Sequence, residues 1–185
     1  HHSWTPNNQC VLAGWRYAFT GVSKVNAIIY QVDQSSLSDE GKNKVKAELR
    51  GLRAYYYWLL LDQFGNVPIC TDFTQKELPA NSPRKDVYAF VENEINDILP
   101  YLPTGVQYGR MTQNVAYTLL ARLYLNAEVY TGTPQWQKCI DACEKVKGYS
   151  LTADYKANFF IKNETSPEII FAIPYDHKQG TTGNY

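Results

Sequence analysis

The 185-residue sequence has no net charge, few histidines and no long apolar run. Lysine plus arginine and aspartate plus glutamate number 18 each, so the formal charge is zero. Attraction to nucleic acid needs a basic face, which a neutral total supplies only as a local patch. No nucleic-acid partner is expected. The only histidines are His1, His2 and His177. HExxH, GxSxG, P-loop and glycine-rich cofactor patterns are absent. Glu92 and Glu94 are two residues apart and point to different helix faces; Glu92 and Asn96 share a face that reads as solvated. No catalytic centre, cofactor or metal is expected. None of the cysteines (Cys10, Cys70, Cys139, Cys143) forms a CxxC pair. Cys139 and Cys143 share a helix face, and small apolar residues filling a helix contact is preferred over a metal or redox pair. No segment approaches the ~20 apolar residues of a membrane helix. The opening HHSW shows neither a secretion signal nor a lipid-attachment pattern.

Aromatic residues are abundant instead: 14% of the chain, with 15 Tyr and 4 Trp. Such rings suit helix packing, protein interfaces and sugar-stacking surfaces alike. The densest stretch, ELRGLRAYYYWLLLDQFGNVPI, runs from Glu48 to Ile69. From Ala54 to Leu61 it is apolar or aromatic all round, which predicts a helix buried on more than one side. Gly65 is placed to end it in a left-handed conformation, and Pro68 bars its resumption.

Helical periodicity recurs along the chain. A first helix is predicted over 9–32, weakened in isolation by Gly14 and Gly21. A second spans 39–64, with Ser38 as cap. A third follows Asp86 as N-cap and ends at Pro100 and Pro103. A fourth covers 112–130. A fifth starts with Thr133 as cap and Pro134 in the first helical position, presents Trp136, Cys139, Ile140, Cys143 and Val146 inward, and ends at Gly148. The stretch 112–148 therefore has the length and helix–turn–helix form of a degenerate tetratricopeptide repeat without its WxxLGxxY signature. An antiparallel helix bundle is the alternative on pattern alone. EIIFAIPY, 168–175, reads as a short strand without a partner in this sequence. The expected fold is mainly α: a possible ligand loop over 1–8, a tetratricopeptide-like helical-repeat scaffold over 9–149, and the start of an irregular region with a short strand over 150–185.

Polar residues on this frame are read as follows. Arg50 and Arg53 pack their stems on the aromatic helix and pair with carboxylates, Asp62, Asp72 or Glu48 being available; Arg122 is read the same way. Asn163-Glu164-Thr165 matches a glycosylation sequon of low specificity. In the first eight residues, His1, His2, Trp4, Asn7 and Asn8 form a polar–aromatic cluster. A Trp beside amide groups can stack on a sugar ring and hydrogen-bond its hydroxyls; a Trp tucked against the helices is the alternative.

The stretch 48–69 resembles the most recognisable motif of the SusD/RagB family, matched by Arg50, Arg53, Tyr56, Asp62, Phe64, Gly65, Val67 and Pro68. TGVSKVNAII resembles the family's early helix carrying an Asn. PRKDVYAFVENEINDILPYLP resembles the helix before a Leu-Pro, GRMTQNVAYTLLARLYLNAEVYTG the repeat-like pair, and SPEIIFAIPYD the strand that follows. The resemblance covers nearly the whole chain. It implies a non-enzymatic, surface-exposed outer-membrane lipoprotein that binds oligo- or polysaccharide or another nutrient and sits on a TonB-dependent (SusC-like) transporter. The membrane contact it implies is a lipid anchor absent from this sequence, which resembles an interior portion. It also implies that the aromatic helix is scaffold. By position, Trp4 and Asn7 match a ligand loop of the starch-binding member, with His2 beside them: Trp4 would stack on a pyranose, and Asn7 and His2 would bond hydroxyls. Two other readings remain: a helical-repeat protein–protein interaction scaffold without a small ligand, and an all-α glycan-processing enzyme.

Overall fold

The computed structural model describes Thr5, residues 8–77 and residues 79–174. Six α-helices account for most of this: α1 (Gln9–Gln34), α2 (Asp39–Phe64), α3 (Arg84–Ile98), α4 (Gln113–Leu125), α5 (Ala127–Thr131) and α6 (Trp136–Lys145). Two 3-10 turns, Leu99–Tyr101 and Tyr155–Phe159, complete the regular structure. Helices α1 and α2 pack on each other, as do α2 and α3; α3 meets α4 and α5, and α4 packs on α6. This succession of neighbouring helices is the tetratricopeptide-like scaffold. No described helix is long and apolar enough to cross a membrane.

Local chemistry sets most boundaries. The Asn8 side chain accepts from the Cys10 and Val11 amides at 3.0 and 3.4 Å, satisfying donors that open α1. Ser38 accepts from the Gly41 amide at 3.2 Å, and Asp39 and Glu40 place negative charge in the first turn of α2. Gly65 ends α2 with φ +74° and its amide donates to Leu61 O at 3.0 Å. A Cβ is strained there, so glycine is the residue that lets the chain turn toward Pro68. Gly21, a weak point for an isolated helix, is where α1 meets α2: a Cβ would fall 2.3 Å from the Tyr56 ring. The lost helix propensity is exchanged for close packing.

The aromatic helix α2 is sandwiched. Ala54, Tyr57, Leu60 and Leu61 are fully buried, among Val22 of α1, Val87, Val91 and Ile95 of α3 and Leu123 of α4. Each large apolar side chain removed from water stabilises by about 1.5–3 kcal/mol, so the core centres here.

The structure corrects several expectations. Asp86 lies inside the first turn of α3; Pro83 is its N-cap, and the Arg84 amide donates to Asn66 Oδ1 at 2.8 Å. The cap is supplied from the turn after α2, 18 residues away. The predicted fourth helix breaks at Asn126 into α4 and α5. Helix α6 starts later than Pro134, with Gln135 as N-cap, because the Thr133 amide donates to Thr131 Oγ1. Cys143 is exposed, Cys139 is half-buried, and Ala142 is the buried small residue of α6. Trp136 and Ile140, expected to face inward, are 50% and 51% exposed. The stretch 168–174 forms no strand among the described residues. Ile170 and Phe171 find apolar surface on the helices, but no neighbouring backbone offers the ladder that a strand requires.

Candidate functional site

Trp4, Asn7 and His2 lie outside the described residues. Of this stretch the structure places Thr5 and Asn8. The Asn8 amide donates to Thr5 O at 2.9 Å while its side chain caps α1. Asn8 is thereby committed to the helix start.

A buried polar cluster joins α1, α2 and α3. Arg53 Nε and Nη2 donate to Glu94 Oε2 at 2.9 and 2.6 Å, and Arg50 Nε and Nη2 donate to Glu94 Oε1 at the same distances. Arg50 also reaches Asp97 at 3.0 Å. Arg53 Nη1 donates to Asn26 Oδ1 at 2.8 Å, and Asn26 Nδ2 donates to Cys70 O at 2.9 Å. Burial opposes the Arg50 charge, but the Glu94 and Asp97 carboxylates outweigh it and push its pKa up. Both Glu94 oxygens are held by guanidinium groups. The cluster orients helices.

Its partners differ from those expected. Asp62 accepts from the Tyr130 hydroxyl at 2.6 Å, Asp72 accepts from Thr74, and Glu48 pairs with Arg110. Arg50 and Arg53 meet Glu94 instead, a residue 41 positions beyond Arg53 that periodicity assigns only to a face. Glu92, read as solvated, is only 19% exposed in its side chain and accepts from Lys138 at 3.0 Å.

The turn after α2 is fixed by Tyr57. Its hydroxyl accepts from the Cys70 amide at 2.7 Å and donates to Cys70 O at 3.2 Å. Burial pushes its pKa up to about 12. Asn26 and Tyr57 together bind both backbone groups of Cys70.

A cleft of about 550 Å³ opens between α2, α4 and residues 168–173. Tyr55, Trp58 and Phe171 line it, and the Arg122 guanidinium lies 5.0 Å over the Trp58 ring. Arg122 was expected to pair with a carboxylate; it uses a ring face instead. Trp58 Nε1 is buried without a hydrogen-bond partner among the described residues. The cleft is apolar and aromatic, with Arg122 and Glu168 as its charged groups. The sequence reading missed it, because α2 and α4 register against each other only in the fold.

Among the described residues no group of three or more His, Cys, Asp or Glu is placed to hold a metal ion. Burial and the neighbouring Cys143 push the Cys139 thiol up, away from the reactive thiolate.

The comparisons with known proteins bear on this arrangement. A family model described as SusD-like, "Starch-binding associating with outer membrane", matches residues 1–125. The starch-binding protein SusD of Bacteroides thetaiotaomicron is 33% identical over 184 residues, covering 94% of this chain and 32% of its own length. A SusD-like protein of Bacteroides ovatus is 29% identical over 178 residues, covering 87% and 32%. The chain thus spans about a third of the length of these curated relatives. Among solved structures, a SusD superfamily protein from Bacteroides fragilis superposes with TM-score 0.76 at 23% identity, covering 89% of this chain and 41% of the other. Surface glycan-binding protein A from Bacteroides thetaiotaomicron, solved with laminarihexaose, superposes with TM-score 0.69 at 24% identity, covering 85% and 34%. At these identities the structures speak for the fold. The sequence match over most of the chain speaks for the lineage: this chain belongs to the SusD-like family.

Proposed function

We propose that the protein to which this chain belongs captures oligo- or polysaccharide at the cell surface and delivers it to a TonB-dependent outer-membrane transporter, without catalysis. The family match over residues 1–125, by its description starch-binding and associated with the outer membrane, carries this reading. The name of the 33% identical relative and the laminarihexaose complex of a structural neighbour support a glycan as ligand. Attachment to the membrane is through a lipid anchor on the whole protein. In this reading Trp4 stacks on a pyranose face, and Asn7 and His2 hydrogen-bond its hydroxyls. Asn8, which follows these residues in the chain, caps α1. Binding is on the order of micromolar to millimolar, because an exposed sugar site gains little after desolvation and ordering costs.

The test is native gel mobility of the whole protein in soluble starch, laminarin and mucin glycans, with Trp4→Ala alongside. Retardation by one glycan class, reduced by about tenfold or more in the variant, is the expected outcome. A folded protein that no glycan retards would refute the reading. In that event the helical-repeat interaction scaffold takes its place, a reading that half-exposed Trp136 and Ile140 on α6 favour.

A further inference from the structure

Two grooves meet at Tyr101 and Asn43. One, of about 490 Å³, runs between the C-terminal part of α1, the first half of α2 and the end of α3. The other, of about 830 Å³, runs between α2 and residues 100–110. Both have the size of ligand sites, and both are lined by Tyr101 and Asn43. Asp33 of the first groove lies on the same helix as the Asn8 cap, 25 residues along. At 1.5 Å per residue that is roughly 38 Å, so the first groove and Asn8 lie toward opposite ends of α1.

The chemistry at the junction is selective. Tyr101 is 49% exposed, yet it sits on a 3-10 turn with Pro100 and Pro103 on either side and buried Leu102 next to it. A stiff turn presents the ring at little further ordering cost. The Asn43 amide and Arg50 Nη1 have no hydrogen-bond partner among the described residues, which leaves planar donors and an acceptor beside an aromatic face. The ionic groups of the walls are matched. In one groove Lys46 meets Asp33 at 2.8 Å, Arg50 meets Asp97 at 3.0 Å, and Arg53, also in the wall, meets Glu94 at 2.6 Å. In the other Lys44 meets Glu40 at 2.7 Å and Arg110 meets Glu48. Paired charges offer no excess field to a phosphate, sulfate or carboxylate ligand. They do offer many hydrogen-bonding groups to a neutral polyol.

We propose that the Tyr101–Asn43 junction is a second saccharide-contacting surface, for neutral oligosaccharide, distinct from the loop of residues 1–8. This rests on the glycan-binding reading above. Tyr101 stacks on one sugar ring, and Asn43 and Arg50 take its hydroxyls. A polymer engages both ends of α1, so the second surface adds avidity for polysaccharide more than for short oligomers.

The test uses the whole protein in native gels containing soluble starch or laminarin. Tyr101→Ala and Asn43→Ala are each made alone and with Trp4→Ala, and thermal unfolding verifies each fold. Tyr101→Ala is expected to weaken the apparent affinity for the retarding polymer about threefold to tenfold, to add to the effect of Trp4→Ala, and to be reversed in Tyr101→Phe. Asn43→Ala, at an exposed position that leaves the core untouched, shifts retardation in the same direction. Wild-type retardation by a polymer that neither variant alters would overturn the second surface and leave the glycan reading standing. A wild type that no polymer retards sinks both.

Discussion

Arg53 on α2 and Glu94 on α3 are joined through Nη2 and Oε2 at 2.6 Å, with side chains only 7% and 8% exposed. Among the described residues, these are the two buried charged side chains. Their geometry is what makes this tolerable, since Arg50 and Asn26 take up the remaining oxygen and the remaining nitrogen.

Removing the carboxylate is therefore expected to hurt more than removing either arginine. Glu94→Ala leaves Arg53 buried without a counter-charge and should cost about 3–5 kcal/mol in urea unfolding. Arg53→Ala leaves Glu94 still paired with Arg50 and should cost less. Arg50→Ala, at a more exposed position, should cost least. Equal losses from all three would show that the cluster acts through packing volume and not through charge.

The turn after α2 makes a second prediction. Asn66→Ala removes the acceptor for the Arg84 amide and should destabilise by about 0.5–2 kcal/mol, the usual worth of a helix cap. Asn66→Asp keeps the acceptor and adds negative charge at the N-terminus of α3, so it should match or exceed the parent. Chemical denaturation of the two variants side by side decides it; an Asp variant as weak as the Ala variant would contradict the cap.

Two buried tyrosine hydroxyls should behave oppositely. Tyr57 holds both backbone groups of Cys70, whereas Tyr88 has no hydrogen-bond partner among the described residues. At neutral pH, Tyr57→Phe should cost about 1–2 kcal/mol, and Tyr88→Phe should be neutral or stabilising. Measured melting temperatures that fall equally for both would refute the distinction.

The same tyrosines set the alkaline limit. Burial pushes Tyr57 and Tyr88 up from 10 to about 12. A folded state that holds the proton more tightly than the unfolded chain gains stability that is complete below pH 10 and is lost as pH rises from 10 toward 12. Burial pushes Tyr124 and Tyr130 in the same direction. Unfolding free energy followed from pH 8 to 12 should be flat at first and then fall, with a shallower fall in Tyr88→Phe.

The approximate ends of helix α2, Asp39 and Phe64, were legible because both of its stops are local: Ser38 caps it and Gly65 releases it. The start of α3 was misread because its capping oxygen belongs to Asn66, in the turn that precedes it by a loop. The strand expected over 168–175 failed over its described part for a related reason. β-branched composition expresses a preference, but pairing needs a second backbone. Trp4, Asn7 and His2, proposed as ligand residues, came from resemblance and position, and they lie outside the described residues. Tyr101 went unnoticed because a lone tyrosine in Leu-Pro-Tyr-Leu-Pro carries no local mark of exposure.

Periodicity, caps and breakers act over a few residues, so the amino-acid order alone specified a chain of amphipathic helices, their approximate ends, and the burial of the Ala54–Leu61 run. Which side chains meet across that chain is another matter. The Arg53–Glu94 pair, the Arg122 guanidinium over Trp58 and the grooves that converge on Tyr101 all depend on how one helix registers against another. That register is set by many contacts between distant parts of the chain at once, and no window of sequence contains it.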